Sequence, residues 1–258
     1  MKNQKIRRFI LLLSFILLPA TLNYFSPYLI IEGLFEKVIG GAFVIWLLFL
    51  LSSLVFGRAA CSYVCPYGGL QMLIDKFHGK SLKQIAWLRW FKYGLGVIWI
   101  SAIIVPLVLV GGQKQFNMLY MTENFVSVDH WGKLIFYYML ITILAIMPFI
   151  LGKRAVCHYL CPMSILTITG SKLSNCLNTP SLHLTVRKDK CIKCGKCNKA
   201  CPMSLDVMGM VQKGNMRNTE CILCGECCSA CGCGVLRREF GSRTTVKIGE
   251  NEKLGAEV

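Results

Sequence analysis

Two stretches near the end of the chain carry the same cysteine pattern. Residues 191–202 read CIKCGKCNKACP, and residues 221–232 read CILCGECCSACG. Both obey C-x2-C-x2-C-x3-C, and the second copy starts 30 residues after the first. Gly195 and Gly225 occupy the same place in the two copies, where a tight loop must bend around a bound group. The spacing therefore predicts two related loops that hold metal through cysteine sulfur.

This spacing is that of the bacterial two-cluster ferredoxin run, in which the fourth cysteine of each run binds the other cluster. Zinc also binds C-x2-C pairs, but two duplicated four-cysteine runs do not fit a four-ligand zinc site. We therefore predict two [4Fe-4S] clusters. One is assigned to Cys191, Cys194, Cys197 and Cys231, and the other to Cys221, Cys224, Cys227 and Cys201.

The second run departs from the first at its end. Gly232 replaces the final proline of the first run, and extra thiols stand at Cys228 and Cys233. Cys231 and Cys233 therefore compete as the fourth ligand, and the spacing favours Cys231. The two extra thiols are otherwise expected to be small buried filler, and the lone Cys176 is expected to be inert.

The rest of the chain is strongly apolar. Of its 258 residues, 54% are hydrophobic and 16% are charged, whereas a soluble domain usually carries about 25% charged residues. Fifteen cysteines are too few for a small disulfide scaffold of this length. This composition argues against an ordinary soluble or a disordered protein.

Runs without a charged residue predict the membrane part. A bilayer core needs about 20 apolar residues as a helix, and four runs of 17–20 residues meet or approach that length: 9–25, 38–56, 93–112 and 134–151. We expect residues 1–170 to form an all-α membrane bundle of four transmembrane helices. Residues 171–258 have no run long enough to span, and are expected to form a small α+β two-[4Fe-4S] ferredoxin-like domain with a polar tail.

Charge in the loops predicts the orientation. Residues 1–8 and 57–92 hold ten Lys and Arg residues, whereas residues 26–37 and 113–133 hold three. Basic loops stay on the cytoplasmic side, so both termini are expected in the cytoplasm. The net charge of +16 then reflects these basic loops rather than a nucleic-acid surface. The first run also resembles a signal peptide, but the sequence ending at Ala20 is a poor cleavage site, so an uncleaved helix is expected.

A second repeat joins the hydrophobic runs in pairs. Residues 57–66 read GRAACSYVCP, and residues 153–162, which lie 96 positions later, read KRAVCHYLCP. Each copy follows a hydrophobic run on the inferred cytoplasmic side, so the bundle is expected to be two repeated hairpins. If the repeats pack about a pseudo-two-fold axis, their four thiols converge: Cys61, Cys65, Cys157 and Cys161.

Three uses of these four thiols remain open. They could jointly ligate a metal or cluster, form reversible disulfides, or only pack. Cysteines four apart share one face of a helix, but the prolines that follow could instead place each pair on a bend. A permanent disulfide is not expected on the reducing cytoplasmic side, and packing alone rarely repeats a whole string, so a redox or metal role is favoured.

Other kinds of site are not indicated. No histidine lies within a predicted span, so intrinsic bis-histidine haem is not expected. His158, inside the second cysteine pair, could accept a proton beside a redox site, but an ordinary interfacial histidine is favoured. No dinucleotide-binding, Walker-type or serine-hydrolase motif is present. The sequence therefore indicates an electron carrier without a site for complex substrate chemistry.

The whole pattern resembles a known family. Four membrane helices, two C-x3-C-P motifs after the second and fourth, and a C-terminal two-cluster ferredoxin domain are similar to the NapH-type membrane iron–sulfur proteins. The resemblance covers roughly residues 5–235 and rests most specifically on the paired C-x3-C-P strings. The nitrous-oxide-reductase regulators and the cytochrome-oxidase assembly iron–sulfur proteins share this core.

The resemblance implies an electron-transfer subunit of a quinol dehydrogenase complex. Such a protein relays electrons between the quinol/quinone pool and a partner redox protein, in contact with membrane lipid and without nucleic acid. It lies in the bacterial cytoplasmic (inner) membrane as a multi-pass protein. Two alternatives stay open: a factor that handles metal or assembles respiratory complexes, for instance by reducing copper, and a redox-sensing regulator.

Overall fold

The fold is taken from a computed structural model that describes residues 2–82, 85–110, 115–118, 120, 127 and 131–241. The described chain is mostly helical. Its helices are α1 Lys2–Ile16, α2 Leu18–Phe25, α3 Pro27–Phe35, α4 Gly41–Phe56, α5 Ala59–Tyr63, α6 Pro66–Phe77, α7 Ala86–Val110, α8 Trp131–Leu151, α9 Ala155–Tyr159, α10 Pro162–Cys176, α11 Lys196–Ala200, α12 Val207–Lys213 and α13 Glu226–Ala230. Its strands are β1 Val38–Gly40, β2 Gln115–Asn117, β3 Ser181–Val186 and β4 Leu236–Gly241.

Two helices are long and apolar enough to cross a membrane. They are Trp90–Leu109 within α7 and Trp131–Leu151, which is α8. Only 17% and 11% of their most apolar windows are buried inside the protein, so most of their apolar side chains face outward. Such an apolar surface is suited to lipid rather than water. These helices confirm membrane-spanning length for the third and fourth predicted runs; residues 111–112 of the third lie outside the described residues.

The first predicted span is wrong as a single helix. The two helices that cover residues 9–25, α1 and α2, meet at a bend of 85° around Leu17. Pro19 lies in the first turn of α2, where its missing N–H needs no partner but where it cannot continue a preceding helix. The chain therefore starts a new helix at this bend.

The second predicted span is shorter than expected. Residues 38–40 form β1, so the helical part is the 16 residues of α4, or about 24 Å at 1.5 Å per residue. A bilayer core is about 30 Å thick. β1 pairs in parallel with β2, with Ile39 opposite Phe116. The described part of the first domain thus offers two candidate spans, or three if the bent pair counts as one, and is not all-α.

Helices of each half of the repeat pack against helices of the other half. α4, α5 and α6 of the first half correspond in order to α8, α9 and α10 of the second. α4 packs against α10, and α8 packs against α6, as expected of two halves related by a pseudo-two-fold axis. Gly170 allows the close approach of α10 to α4, because a Cβ there would lie 1.7 Å from Ser53 Oγ.

The C-terminal domain is α+β, as predicted from the ferredoxin pattern. β3 and β4 pair antiparallel, from Ser181 opposite Gly241 to Val186 opposite Leu236. The two short helices that follow the cysteine loops, α11 and α13, pack against each other. Asp206 caps α12 by accepting a hydrogen bond from the Gly209 N–H at 3.0 Å. The polar tail beyond residue 241 lies outside the described residues.

Candidate functional site

The four cysteines assigned to the second cluster line one small cavity. They surround it together with apolar side chains that include Leu184, Val207 and Ile222. Burial raises the pKa of the Cys201 thiol to about 11 and that of the Cys221 thiol to about 12, and the neighbouring thiols of the group raise both further. The thiol set is therefore both convergent and shielded from water, as its assignment requires.

The donors around this cavity suit an anionic iron–sulfur cluster. Backbone N–H groups of Leu223 and Glu226 donate to Cys221 and Cys224, and those of the loop after Cys201 donate to that sulfur. N–H donors to cysteine sulfur are a main way a protein tunes a bound cluster. In the described part of the chain, no three His, Cys, Asp or Glu side chains are arranged to hold a single ion. A cubane does not need that arrangement, since each thiolate binds a different iron.

The first cluster site is more open to solvent. Burial raises the pKa of the Cys197 thiol, and the nearby thiols of Cys227 and Cys231 contribute to the rise. Cys194 is exposed, whereas Cys191 is half-buried and accepts a hydrogen bond from Gln212 Nε2 at 3.6 Å. The structure thus brings Cys197 and Cys231 together, and the four-cysteine assignment stays a prediction.

Burial bears on the competition between Cys231 and Cys233 for the place of the fourth ligand. Cys231 is half-buried and packs against the domain core, whereas Cys233 is exposed. Cys228 is half-buried, and the Cys227 thiol donates a hydrogen bond that lowers the pKa of the Cys228 thiol. Burial favours Cys231, in agreement with the spacing, and corrects the expectation that Cys233 is buried. Cys176 is likewise exposed.

The repeated glycines take the conformation that their position requires. Gly195 has a φ of 70° and Gly225 a φ of 74°, both in the left-handed region. The residues two positions earlier, Lys193 and Leu223, also have positive φ. Both loops therefore turn in the same way, which gives the 30-residue repeat a structural basis.

The four cysteines of the other repeat also converge. Cys61 lies in α5 and Cys157 in α9, whereas Cys65 and Cys161 cap α6 and α10 immediately before a proline. Each pair therefore sits on a bend between two helices. Burial raises the pKa of the Cys65 thiol well above its ordinary value, and the thiols of the other three cysteines raise it further.

This second thiol group lies against the second cluster cavity. Cys61 and Cys157 belong to the same buried core as Cys201, Cys224 and Cys227. The core also contains apolar side chains of the C-terminal domain. Two groups of converging cysteines are thus packed side by side, one from the helical repeat and one from the ferredoxin loops.

A buried network of ion pairs links the C-terminal domain to the helices. Glu220 Oε1 accepts a hydrogen bond from Lys92 Nζ at 2.6 Å, and its Oε2 accepts one from Arg58 Nη1 at 3.0 Å. All three side chains are less than 9% exposed. Burial alone would raise the pKa of Glu220, but the two cations outweigh it and hold the pKa below its ordinary value.

The N-terminal helix contacts the same domain. Gln4 Nε2 donates to the Cys224 carbonyl oxygen at 2.9 Å, and Arg7 pairs with Glu226. Arg8 pairs with the same carboxylate at 3.0 Å. The start of α1 and the cluster-bearing loop therefore lie on one side of the molecule.

His158 connects the two domains as a neutral side chain. Its Nε2 lies 3.0 Å from the Met203 carbonyl oxygen, and burial lowers its pKa to about 4 although Glu220 opposes this. The residue is therefore an interfacial histidine, as the sequence favoured. The sequence analysis did not single out Glu220 or Lys92. It could have singled out Arg58, the partner of Glu220, because the 96-residue repeat places Arg58 and Arg154 at equivalent positions.

A larger cavity of about 780 Å³ opens at the junction of the two domains. Ser53 and Gly57 line it from the end of α4, and Cys221 and Leu223 line it from the second cysteine loop. Its volume is in the range of small-molecule sites. A ligand there would lie between an apolar helix and a cluster-binding loop.

Asp75 gives the protein a pH dependence whose sign can be worked out. Burial raises the pKa of its carboxyl to about 6 from 3.8, although Arg154 and Lys153 oppose the rise. The folded state thus binds this proton more tightly than the unfolded state, and stability is lost as the pH rises from 3.8 to about 6. We expect Asp75→Asn to stabilise the protein by roughly 1–2 kcal/mol at neutral pH.

Thermal unfolding in detergent at about pH 4.5 and about pH 7.5 checks this prediction. The difference in thermal midpoint between Asp75→Asn and wild type should increase with pH. The exposed control Asp189→Asn should have the same midpoint as wild type at both pH values. A gap that narrows with pH would show that the ionised Asp75 stabilises the fold through Arg154, contrary to the prediction.

Comparisons with known proteins agree with the cysteine pattern. Residues 38–84 and 134–175 match a family model described as a 4Fe-4S binding domain. Residues 183–232 match a model described as a 4Fe-4S dicluster domain. The chain therefore contains ferredoxin-type 4Fe-4S domains, and the first match covers both halves of the helical repeat.

Two curated relatives are similar over most of this chain. The putative electron transport protein YccM of Escherichia coli (strain K12) is 28% identical over 196 residues, which are 72% of this chain and 52% of that protein. This chain thus spans about half the length of that relative. An uncharacterized protein of Methanocaldococcus jannaschii is 25% identical over 195 residues, covering 70% of this chain and 68% of that protein. No solved structure matches the chain.

Proposed function

We propose that this chain is a membrane-bound iron–sulfur protein of the NapH type that relays electrons between the quinol pool and a partner redox protein. The observation that carries the proposal is the shared core of Cys61, Cys157, Cys201 and Cys224. It joins the ferredoxin loops to the helical part that contains the two apolar, outward-facing helices. The name of the Escherichia coli relative, an electron transport protein, supports the same class of function.

The two ferredoxin sites differ in their surroundings, and this difference suggests an order. The cavity of Cys201, Cys221, Cys224 and Cys227 is buried against the helices, whereas the other site has an exposed ligand, Cys194. When bound, each [4Fe-4S] cluster carries one electron at a time. The buried site is therefore proposed to serve the membrane side and the open site to serve the partner.

The large junction cavity is proposed to receive the quinol head group. It is bounded on one side by α4 and on the other by Cys221. A head group in it would lie next to a cluster ligand. Arg58 and Lys172 also line the cavity and supply hydrogen-bond donors for quinone oxygens.

Lysines around the open site suit an acidic partner. Three lysines of the first cysteine loop are exposed: Lys193, Lys196 and Lys199. Ile192, which directly follows the first cysteine of that loop, is 71% exposed. A basic rim around an apolar contact favours association with an acidic protein surface. The partner redox protein is therefore proposed to dock on this face.

Both termini are proposed to lie on the cytoplasmic side of the inner membrane, in a multi-pass protein. The ion pairs of Arg7 and Arg8 with Glu226 support one common side for α1 and the C-terminal domain. The excess of Lys and Arg in residues 1–8 and 57–92 supports the cytoplasm as that side.

Quinol oxidation by purified protein tests the relay. The chain is extracted and purified without oxygen, oxidised, mixed with a hydrophobic quinol analogue, and followed by EPR and by bleaching of the visible iron–sulfur absorbance. We expect reduced-cluster signals with quinol, and reoxidation on adding the quinone. The relay is contradicted if dithionite reduces the clusters but quinol does not, and if reduced clusters do not reduce quinone. Reduction of added Cu(II) under those conditions would support metal handling instead.

A further inference from the structure

We propose that Arg154 is a tuning residue that raises the reduction potentials of two neighbouring redox groups together. One is the group bound by the four repeat thiols, those of Cys61, Cys65, Cys157 and Cys161. The other is the buried ferredoxin cluster of Cys201, Cys221, Cys224 and Cys227. The match to a 4Fe-4S binding domain already implies an iron–sulfur group on the repeat thiols, since residues 38–84 and 134–175 hold no other cysteines. The proposal adds the side chain that controls its potential, and it does not depend on the quinol relay.

Arg154 is almost completely buried, and part of its guanidinium group is unused. The residue is 1% exposed. Its Nη2 donates to the Gly68 carbonyl oxygen at 3.4 Å, whereas Nε and Nη1 have no hydrogen-bond partner among the described residues. A buried guanidinium is costly unless it is paired and hydrogen-bonded. The side chain therefore has a positive charge and N–H donors left for a group that the polypeptide does not supply.

The backbone of Arg154 also has a conformation that an arginine rarely adopts. Its φ is 52° and its ψ is 33°, in the left-handed region, where a side chain with a Cβ is strained. Arg58, at the equivalent position of the first half, has a φ of −88°, so the repeat itself does not impose this conformation. Strain of this kind is typical of functional sites, where the surrounding structure maintains it. Burial, unused donors and backbone strain thus coincide at one residue.

Arg154 lies within electrostatic range of both redox groups. Its charge acts on the Cys157 thiol of the helical repeat and on the Cys224 thiol of the second cysteine loop, and these two cysteines belong to the same buried core. Its contact with Gly68 reaches the other half of the repeat, where the Gly68 N–H donates to Cys65 Sγ. One cation therefore faces both halves of the repeat and the ferredoxin domain.

The nearby acid compensates this charge only in part. Asp75 lies within electrostatic range of Arg154 and Lys153, and burial raises the pKa of its carboxyl to about 6. Arg58 is better balanced, because its guanidinium pairs directly with Glu220 at 3.0 Å. Arg154 therefore carries the less compensated of the two buried guanidinium charges.

A cation held in the interior stabilises each electron that is added nearby. An oxidised cube with four thiolates carries about −2, and reduction adds one more negative charge. The attraction to a buried cation is stronger for the reduced form, and solvent and salt screen it little. Arg154 should therefore raise both potentials. The larger effect is expected on the group beside Cys157, because Arg7 shares the effect at Cys224.

An EPR-monitored redox titration of protein purified without oxygen tests the proposal. Arg154→Gln should lower the potential of the repeat group by about 59 mV or more, which is a tenfold change in the ratio of reduced to oxidised group at a fixed potential. The buried ferredoxin cluster should shift in the same direction by less. Arg154→Lys, which keeps the charge, should restore most of both shifts. Arg237→Gln removes an exposed arginine of β4 and should leave the potentials at their wild-type values.

Asp75→Asn should give a shift of the opposite sign and does not require an arginine variant to fold. At about pH 7.5 it removes a carboxylate that opposes Arg154, so the potential of the repeat group should rise. The rise should be smaller at about pH 5.5, where the wild-type carboxyl is largely protonated.

Three results would overturn the proposal. They are unchanged potentials in Arg154→Gln and Asp75→Asn, a shift in Arg154→Gln that Arg154→Lys does not reverse, and a wild-type protein whose repeat thiols carry no redox group. Dithionite supplies the electrons and no quinol is present, so failure of these measurements is distinct from failure of the relay.

Discussion

Glu220→Gln is expected to destabilise the protein by about 3–5 kcal/mol, because it leaves two buried cations without their counter-charge. Lys92 is fully buried and Arg58 is 2% exposed, and both bind the Glu220 carboxylate. A neutral amide can accept a hydrogen bond from one of them but balances the charge of neither. For a chain of this size the loss corresponds to a thermal midpoint lowered by roughly 10 °C.

Thermal unfolding in detergent, followed by helical circular dichroism, measures the effect. The matched control is Glu239→Gln, which makes the same chemical change at an exposed position of β4 and should shift the midpoint very little. Adding Lys92→Met to Glu220→Gln should recover part of the loss, since it removes one of the unpaired cations. A Glu220→Gln protein as stable as its control would show that the network does not hold the domains together.

Cys201→Ser is expected to remove the buried ferredoxin cluster, although Cys201 belongs to the first cysteine run. The side chain lies in the cavity of Cys221, Cys224 and Cys227, so its loss should cost about four irons per chain. Cluster binding is also folding free energy, because the unfolded chain has no preformed site. We therefore expect a lower thermal midpoint as well.

The companion variant Cys231→Ser tests the crossed assignment from the other side. It should remove the open cluster of Cys191, Cys194 and Cys197 and leave the buried one. EPR of dithionite-reduced protein distinguishes the two losses, because each single variant should lose the magnetic interaction between neighbouring clusters and keep one isolated signal. Cys233→Ser is the control and should keep both. Loss of the same signal in Cys201→Ser and Cys231→Ser would contradict the crossed arrangement.

The two sequence repeats made the candidate site cysteines predictable. The buried ion network could not be predicted, because its residues lie far apart in the sequence. The 30-residue period predicted the eight cluster cysteines, and it marked Gly195 and Gly225, which have positive φ in the structure. The 96-residue period predicted that four more thiols would converge. Glu220 and its partners are 128 and 162 residues apart in sequence, and no local pattern links such positions. An ion pair of this kind is visible only once the chain is folded.

Counting charge-free runs gave the helical class but not the geometry. Hydropathy finds apolar residues in series, and the runs 93–112 and 134–151 overlap the two helices of spanning length, Trp90–Leu109 and Trp131–Leu151. It does not register that Pro19 starts a new helix or that residues 38–40 pair as a strand with residues 115–117. Both features depend on backbone hydrogen bonds, which hydropathy does not count. The first two runs were therefore predicted as longer or straighter helices than the structure has.

One measurement tests the central claim most directly, namely that iron–sulfur clusters are held against lipid-embedded helices. Membranes from cells that produce the chain are washed at alkaline pH without oxygen, extracted with detergent, and the purified protein is reduced and examined by EPR. The account predicts that the chain stays with the membrane through the wash and shows interacting [4Fe-4S] signals with at least eight irons per chain. A chain released by the wash, or a colourless preparation without iron, would contradict it.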